Sequence, residues 1–300
     1  MPVRFARAYA LTTLGLAGLL AAGPAFADCT APQAEFARVV QSSDLEAIAR
    51  TGRAVLNEAS CPDALRAVVG RRAALAHVRA SNVAGERGVS IEERLRILTA
   101  GAAFGGPWQL HAAVGDLRRV RREFGPASLA YQTALEDIDD AAANPSPPPR
   151  EIILRIMRLA QEARLAAPDF VPTRSLTRSI RSITVAAAPI PVQFVRDQDR
   201  MTELGERYAE ETFQILVQEG RPRIRLVGHT DPDGSIEYNR DLSLRRAGSF
   251  RDFLIRRGYS GDAIRIDGRG KEEPFEPMPG VQYSQAELYQ MLRRVELVRE

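Results

Sequence analysis

The sequence predicts a multidomain chain, with N-terminal helical hairpins (α) followed by an α/β two-layer sandwich of order βαβαβ(α)β. Three observations carry this expectation. Over residues 33–142, apolar side chains recur at intervals of three and four, and no strand-like alternation interrupts them. At 141–151 the stretch "AAANPSPPPRE" breaks the pattern, because its prolines lack amide donors and hold a stiff, extended chain. From residue 183 onward, period-two runs alternate with amphipathic helical stretches, the grammar of a sheet covered by helices on one face. The expected organisation is a leader at 1–27, a helical domain at 28–142, a Pro-rich linker with a connecting helix at 143–188, and the sandwich at 189–300.

The leader is read from "MPVRFARA", the apolar run "LTTLGLAGLLAAG" and the small-x-small site "AFA" ending at Ala27. The apolar run is shorter than the roughly 20 residues a membrane span needs, so cleavage is expected, leaving no transmembrane segment in the mature chain. Loss of Arg4 and Arg7, with no acid in the segment, lowers the formal charge from +3 to +1. Charged residues make up 26% of the chain and both signs are interspersed, which gives no electrostatic case for nucleic acid. Export also changes the reading of the two cysteines. In an oxidising compartment Cys29 and Cys61 are expected to form a disulfide, closing a loop whose stabilisation is about 3–4 kcal/mol on the chain-entropy model. Two buried thiols are the alternative, and neither cysteine has the C-x-x-C spacing of redox or zinc chemistry.

Five helices are expected in the first region, at about 43–59, 62–80, 90–104, 107–124 and 126–138, with Gly-Pro breaks at 106–107 and 125–126. Gly115, Phe124, Ala127, Tyr131 and Ala134 have the spacing of close helix contacts and interhelix wedges, and the last two helices resemble a tetratricopeptide pair. Ile91 stands 33 residues before Phe124, close to that repeat's period, but the register decays further upstream. Beyond the Pro-rich stretch, Ile153, Ile156, Leu159 and Ala160 form the apolar face of one more helix, ended by Pro168.

In the last region "ITVAAAPIPVQF" contains an edge-like strand. A helix over 198–220 follows, with Leu204, Tyr208, Ile215 and Leu216 on one face and Gly220 as its stop. "RPRIRLVGHTD" is a half-buried strand, a helix begins at about Ser243, and "AIRIDGRG" and "RRVELVRE" are the final strands.

The stretch "GHTDPDGSIEYNRDLSLRRA" (228–247) places Asp231 after a strand and Arg246 on a helix. Taken alone, the two form an internal or surface ion pair worth about 0–1 kcal/mol. The motif is longer than that pair. "VQF" at 192–194, "GHTD", "GS..YN..LS..RA", Gly268, Gly270 and Pro274 as "G.G..EP", and "RRVEL" from Arg293 together resemble the OmpA-like peptidoglycan-binding domain. The resemblance covers somewhat over a third of the chain and none of the helical region. It implies a groove for the diaminopimelate of the cell-wall stem peptide, with Asp231 taking the ammonium and Arg246 the carboxylate. Aspartate accepts from an ammonium, and arginine meets a carboxylate with two parallel bonds, so the residue types suit a zwitterion. On this reading Asn239 and Leu242 shape the site, Gly234 permits the turn after the strand, and Ser243 caps the helix carrying Arg246. Two departures, Leu292 where the family usually has Asn and the elaborated "MPGVQYSQAELYQML", concern the rim near the last strand and leave Asp231 and Arg246 aside.

Enzymatic readings are weaker. His77, His111 and His229 are scattered and lack metal-ligand spacing, so no metal or cofactor is expected. His229, Asp231 and Ser243 can be drawn as a triad, but no nucleophile elbow accompanies them. "GRGKEE" lacks the spacing of a phosphate loop, and "DPDGSIE" has its glycine too early for a calcium loop. Trp108 reads as helix-packing core. The expectation is a non-enzymatic periplasmic protein of the cell envelope, held to peptidoglycan or the outer membrane, with a helical domain for a protein partner. The alternative is an envelope-assembly adaptor in which the sandwich is only a scaffold.

Overall fold

The computed structural model describes residues 29–141, 144, 146–167, 169–170, 187–190, 192–195 and 197–300. The leader at 1–27 lies outside the described residues, as does the connection 171–186. Among the described residues there are ten α-helices and four strands, and no helix is long and apolar enough to cross a membrane.

The chain divides into two compact units, the described part of Met1–Leu117 with Asp140–Pro145, and Arg118–Asp139 with Ser146–Glu300. The first is built from α1 (Thr30–Val39), α2 (Leu45–Asn57), α3 (Asp63–Glu86), α4 (Ile91–Ala102) and the greater part of α5 (Trp108–Val120). Each of α1 to α4 packs on its sequence neighbour. Side-chain oxygens start two of these helices: Asp44 Oδ1 accepts from the Ala47 amide at 2.9 Å and Ser90 Oγ from Glu93 at 3.2 Å. Phe36, Ile48, Val55, Val69, Leu98 and Phe104 fill the core. The expected Cys29–Cys61 disulfide is present, joining the residue before α1 to the chain just before α3. Trp108 is core, as expected.

The second unit begins earlier than the sequence suggests. α6 (Phe124–Asp139), which the wedge spacing pairs with α5, packs along α7 (Arg150–Ala166) on the far side of the Pro-rich stretch. The prolines interrupt the helix, but both sides carry an apolar face. Ile153, Ile156, Leu159 and Ala160 of α7 are all buried, and so are Phe124, Ala127, Tyr131 and Ala134 of α6. Ser128 Oγ donates across the pair to the Ala160 carbonyl at 3.2 Å. Burial of two amphipathic stripes outweighs the break, so α6 and α7 pack as a pair across it.

The rest of this unit is the expected sandwich. Strands β1 (Ala187–Ile190), β2 (Ile224–His229), β3 (Ile264–Gly270) and β4 (Val295–Arg299) form one sheet in the order β1-β4-β2-β3. β2 runs parallel to β3, and β4 is antiparallel to both β1 and β2. α8 (Glu203–Gln218) and α9 (Ile236–Arg256) share with the sheet a core of Tyr208, Leu216, Leu226, Phe250, Leu254 and Leu297. Between β3 and β4 lies the short α10 (Gln285–Leu292), opened by a capping box of Ser284 and Glu287. α9 lies so close to β2 that a Cβ on Gly228 would stand 2.0 Å from the Ser243 carbonyl oxygen. That contact is what seats the α9 side chains over the end of β2.

Candidate functional site

A cavity of about 470 Å³ opens where β2 gives way to α9. β2 delivers Thr230 and Asp231 to its wall. Gly234, at φ +90°, turns the chain, and Ser235 then starts α9 by accepting from the Tyr238 amide at 3.1 Å. Asn239, Leu242 and Arg246 follow at i, i+3 and i+7, which places all three on one helical face toward the cavity. Asn239 Nδ2 donates to the Asp233 carbonyl at 2.6 Å and fixes the turn. Lys271 Nζ holds the same turn from outside, donating to the carbonyls of Pro232 and Gly234 at 3.1 and 2.8 Å. Leu242 is buried and supplies an apolar surface.

Arg246 is 6% exposed. Its Nε donates to the Gln198 carbonyl at 3.1 Å, and its guanidinium carbon lies 5.1 Å from the centre of the Phe194 ring. Among the described residues the Gln198 bond is its one hydrogen bond, which leaves the two terminal nitrogens for whatever enters the cavity. Burial pushes the guanidinium pKa down and nearby Arg293 does the same, while Asp231, Tyr238 and Asp197 oppose them. An arginine stays charged under all of these influences.

Asp231 has a different ion-pair partner from the one its spacing suggests. Its Oδ2 accepts from Arg293 Nη1 at 2.7 Å, and its Oδ1 from the Asp233 amide at 3.3 Å. Arg293 Nη2 also donates to Gln290 Oε1 at 2.9 Å, and both residues line the cavity. Gln290 of the elaborated segment therefore reaches the cavity rim and holds Arg293, the residue just after that segment, which in turn pairs with Asp231. Arg293 stands in the recognisable "RRVEL", but an arginine before a strand has many possible partners, and its pairing with Asp231 has no signature in spacing. Lys271 was likewise without a role in the sequence.

Asp231, Gly234, Asn239, Leu242 and Arg246 are thus brought to one cavity. Ser243 is not. It lies inside α9, not at its start, because Ser235 already caps the helix eight residues earlier. Its hydroxyl donates to the Arg240 carbonyl and accepts from the Gly270 amide, both at 2.9 Å, tying α9 to the end of β3. These bonds also engage the would-be nucleophile of the triad. His229, 1% exposed, has its Nε2 3.8 Å from Glu296 Oε2. Burial would raise the Glu296 carboxyl, but His229 and Arg294 outweigh it and hold the group down at about 2. Among the described residues no group of three or more His, Cys, Asp or Glu is arranged to hold a metal ion.

A four-stranded sheet with two helices, and a cavity with charged walls at the end of a central strand, define a small α/β sandwich module. Residues 193–280 match the OmpA family and form an OmpA-like domain. The peptidoglycan-associated lipoprotein of Rhizobium meliloti (strain 1021) is 45% identical over 51 residues, 17% of this chain and 29% of that protein. The protein of the same name from Legionella pneumophila is 44% identical over 52 residues, 17% and 30% of the two chains. Outer membrane protein A of Escherichia coli O157:H7 is 45% identical over 49 residues, 16% of this chain and 14% of that protein. The chain thus spans less than a third of the length of these relatives. The solved peptidoglycan-associated lipoprotein from Burkholderia pseudomallei is 27% identical, over 36% of this chain and 88% of that one, with a TM-score of 0.31.

Proposed function

We propose that this chain is an exported, non-enzymatic protein that binds peptidoglycan by holding diaminopimelate of the stem peptide in the α9 cavity. The observation that carries the reading is the buried Arg246, which lines the same cavity as Asp231 and, among the described residues, hydrogen-bonds only through its Nε. An ion-paired arginine at that place would be a structural brace. An arginine using one nitrogen for Gln198 still offers a carboxylate two parallel bonds. Asp231 accepts one bond on each oxygen, and an ionised carboxylate has about four acceptor sites, so an ammonium can join without displacing Arg293. Each charge-assisted bond contributes about 1.5–3 kcal/mol, and requiring both selects a group bearing an ammonium and a carboxylate. Two of the relatives are named for association with peptidoglycan, which supports the broader part of this reading.

On this reading residues 1–27 direct the chain to the periplasm, and the first helical unit supplies a second attachment to another protein, which raises retention beyond that of one weak site. The test is a pull-down with purified sacculi. Asp231→Ala and Arg246→Ala are expected to stay in the supernatant while wild type sediments. Sedimentation of either variant like wild type would remove the clamp.

A further inference from the structure

Helix α10 carries Gln290 and Arg293 to the cavity, yet it is too short to hold its own position. It has eight residues, of which only Met291 is fully buried, and isolated helices of that length are unstable in water. The helix it packs on most is α7. The chain entering α10 is fixed by a buried polar knot on the same side. Glu162 of α7 is fully buried, and its Oε1 accepts from Arg119 Nη2 at 2.8 Å and from the Tyr283 hydroxyl at 2.6 Å. Its Oε2 accepts from the Met278 amide at 2.5 Å. Arg119 also donates to the Met278 carbonyl at 2.6 Å. Tyr283 stacks on Phe124 of α6 with ring centres 5.3 Å apart. Arg122 donates to the Gln282 carbonyl at 2.8 Å and pairs with Glu287, the residue that closes the α10 capping box.

One end of α10 is therefore tied to the α6–α7 pair, and the other delivers Arg293 to Asp231. We infer that the α6–α7 pair is a positioning device for the groove: Glu162 and Tyr283 set α10, α10 sets Gln290 and Arg293, and ligand binding is energetically coupled to the helix pair. This rests on the groove reading above and goes beyond it, since both helices lie outside the OmpA match. The coupling runs through a contiguous set of hydrogen bonds and packed side chains that also hold α10 in place, one physical form such coupling takes.

Hydrogen exchange by mass spectrometry, on the chain from Asp28 onward with and without a diaminopimelate stem peptide, tests it together with calorimetric titration. In wild type the peptide is expected to slow exchange in α10 and also in α6 and α7. Tyr283→Phe keeps the ring stack and removes the hydroxyl, and Arg122→Ala removes an exposed tie. Combined, they are expected to weaken the peptide about 3- to 10-fold and abolish the remote protection, within the range for coupling through a few contacts. Glu162→Gln is the stronger variant, and the milder pair keeps the test valid if it fails to fold. A merely structural role would lower the melting temperature and leave affinity unchanged. Equal affinity, with protection confined to the groove, would overturn the coupling alone. No binding by wild type would overturn the groove reading and the coupling with it.

Discussion

Arg293 Nη1 lies 2.7 Å from Asp231 Oδ2 at the end of β2, and this pairing, not one with Arg246, satisfies the carboxylate inside the protein. It separates the two charges of the "GHTD…RRA" motif into different roles. Asp231 is already oriented by an internal cation, while Arg246 lines the same cavity with only its Nε engaged among the described residues. A motif that looks like one ion pair is thereby opened, and both residues line a space large enough for a ligand.

Arg246→Lys is expected to fail as a conservative change. Lysine is a point charge without the planar fork, and it cannot use one nitrogen on the Gln198 carbonyl while offering two to a carboxylate. On the proposed function, peptide affinity falls about 10-fold or more, in line with one lost charge-assisted bond. Titration calorimetry of the variant measures it, and affinity equal to wild type would contradict the bidentate role.

Ser243 and Ser235 are expected to behave differently. Ser243→Ala leaves the buried Gly270 amide without its acceptor and costs about 1–3 kcal/mol. Ser235→Ala removes a solvent-exposed cap and costs about 1 kcal/mol. Urea unfolding of the two variants compares them, and a smaller effect at Ser243 than at Ser235 would count against its bridging of α9 to β3.

Gly228→Ala tests the seating of α9. The added methyl would meet the Ser243 carbonyl at 2.0 Å, backbone against backbone, so the helix must move off the strand. Overpacking of this kind costs about 1–3 kcal/mol or more, and the displaced helix carries Asn239, Leu242 and Arg246 with it. Loss of peptide affinity along with stability is expected. A variant with wild-type melting temperature would show that the contact is not tight.

Glu296 gives a pH dependence with a defined sign. Its carboxyl is held at about 2, below the ordinary value of 4.5. Its contribution to stability is therefore fully present above about pH 5 and is lost as pH falls toward 2. On this linkage it amounts to about 3 kcal/mol. The gap in urea midpoint between wild type and Glu296→Gln should be largest at neutral pH and shrink steadily below about pH 4.5. A gap that stays constant to pH 2.5 would contradict the assignment to this carboxylate.

How legible all this was in the sequence depends on what kind of relationship each element rests on. The strand and helix order of the sandwich was readable because local periodicity and turn residues decide it, from the Ile224–Leu226 alternation to the stop at Gly220. The residues lining the cavity were readable because α9 carries them at helical spacing from a turn marked by Gly234. The helix starts at Ile236, seven residues before the expected Ser243, because the turn at Gly234 leaves Ser235 to cap it. Arg293 with Asp231, Lys271 with the turn, and Glu162 with Tyr283 are contacts between residues 37 to 121 positions apart in the chain. No local pattern encodes such pairs. The grouping of α6 with α7 escaped for a related reason: prolines mark a break in the backbone, but only packing shows which faces meet across it.

The central claim is that Asp231 and Arg246 together read a zwitterionic end. Titration calorimetry of the chain from Asp28 onward tests it most directly, using a stem peptide with diaminopimelate and the same peptide with lysine in its place. The lysine peptide keeps the ammonium and lacks the carboxylate that Arg246 would meet. Binding of the first and loss of binding with the second is the predicted result. Equal binding of both, or of neither, would contradict it.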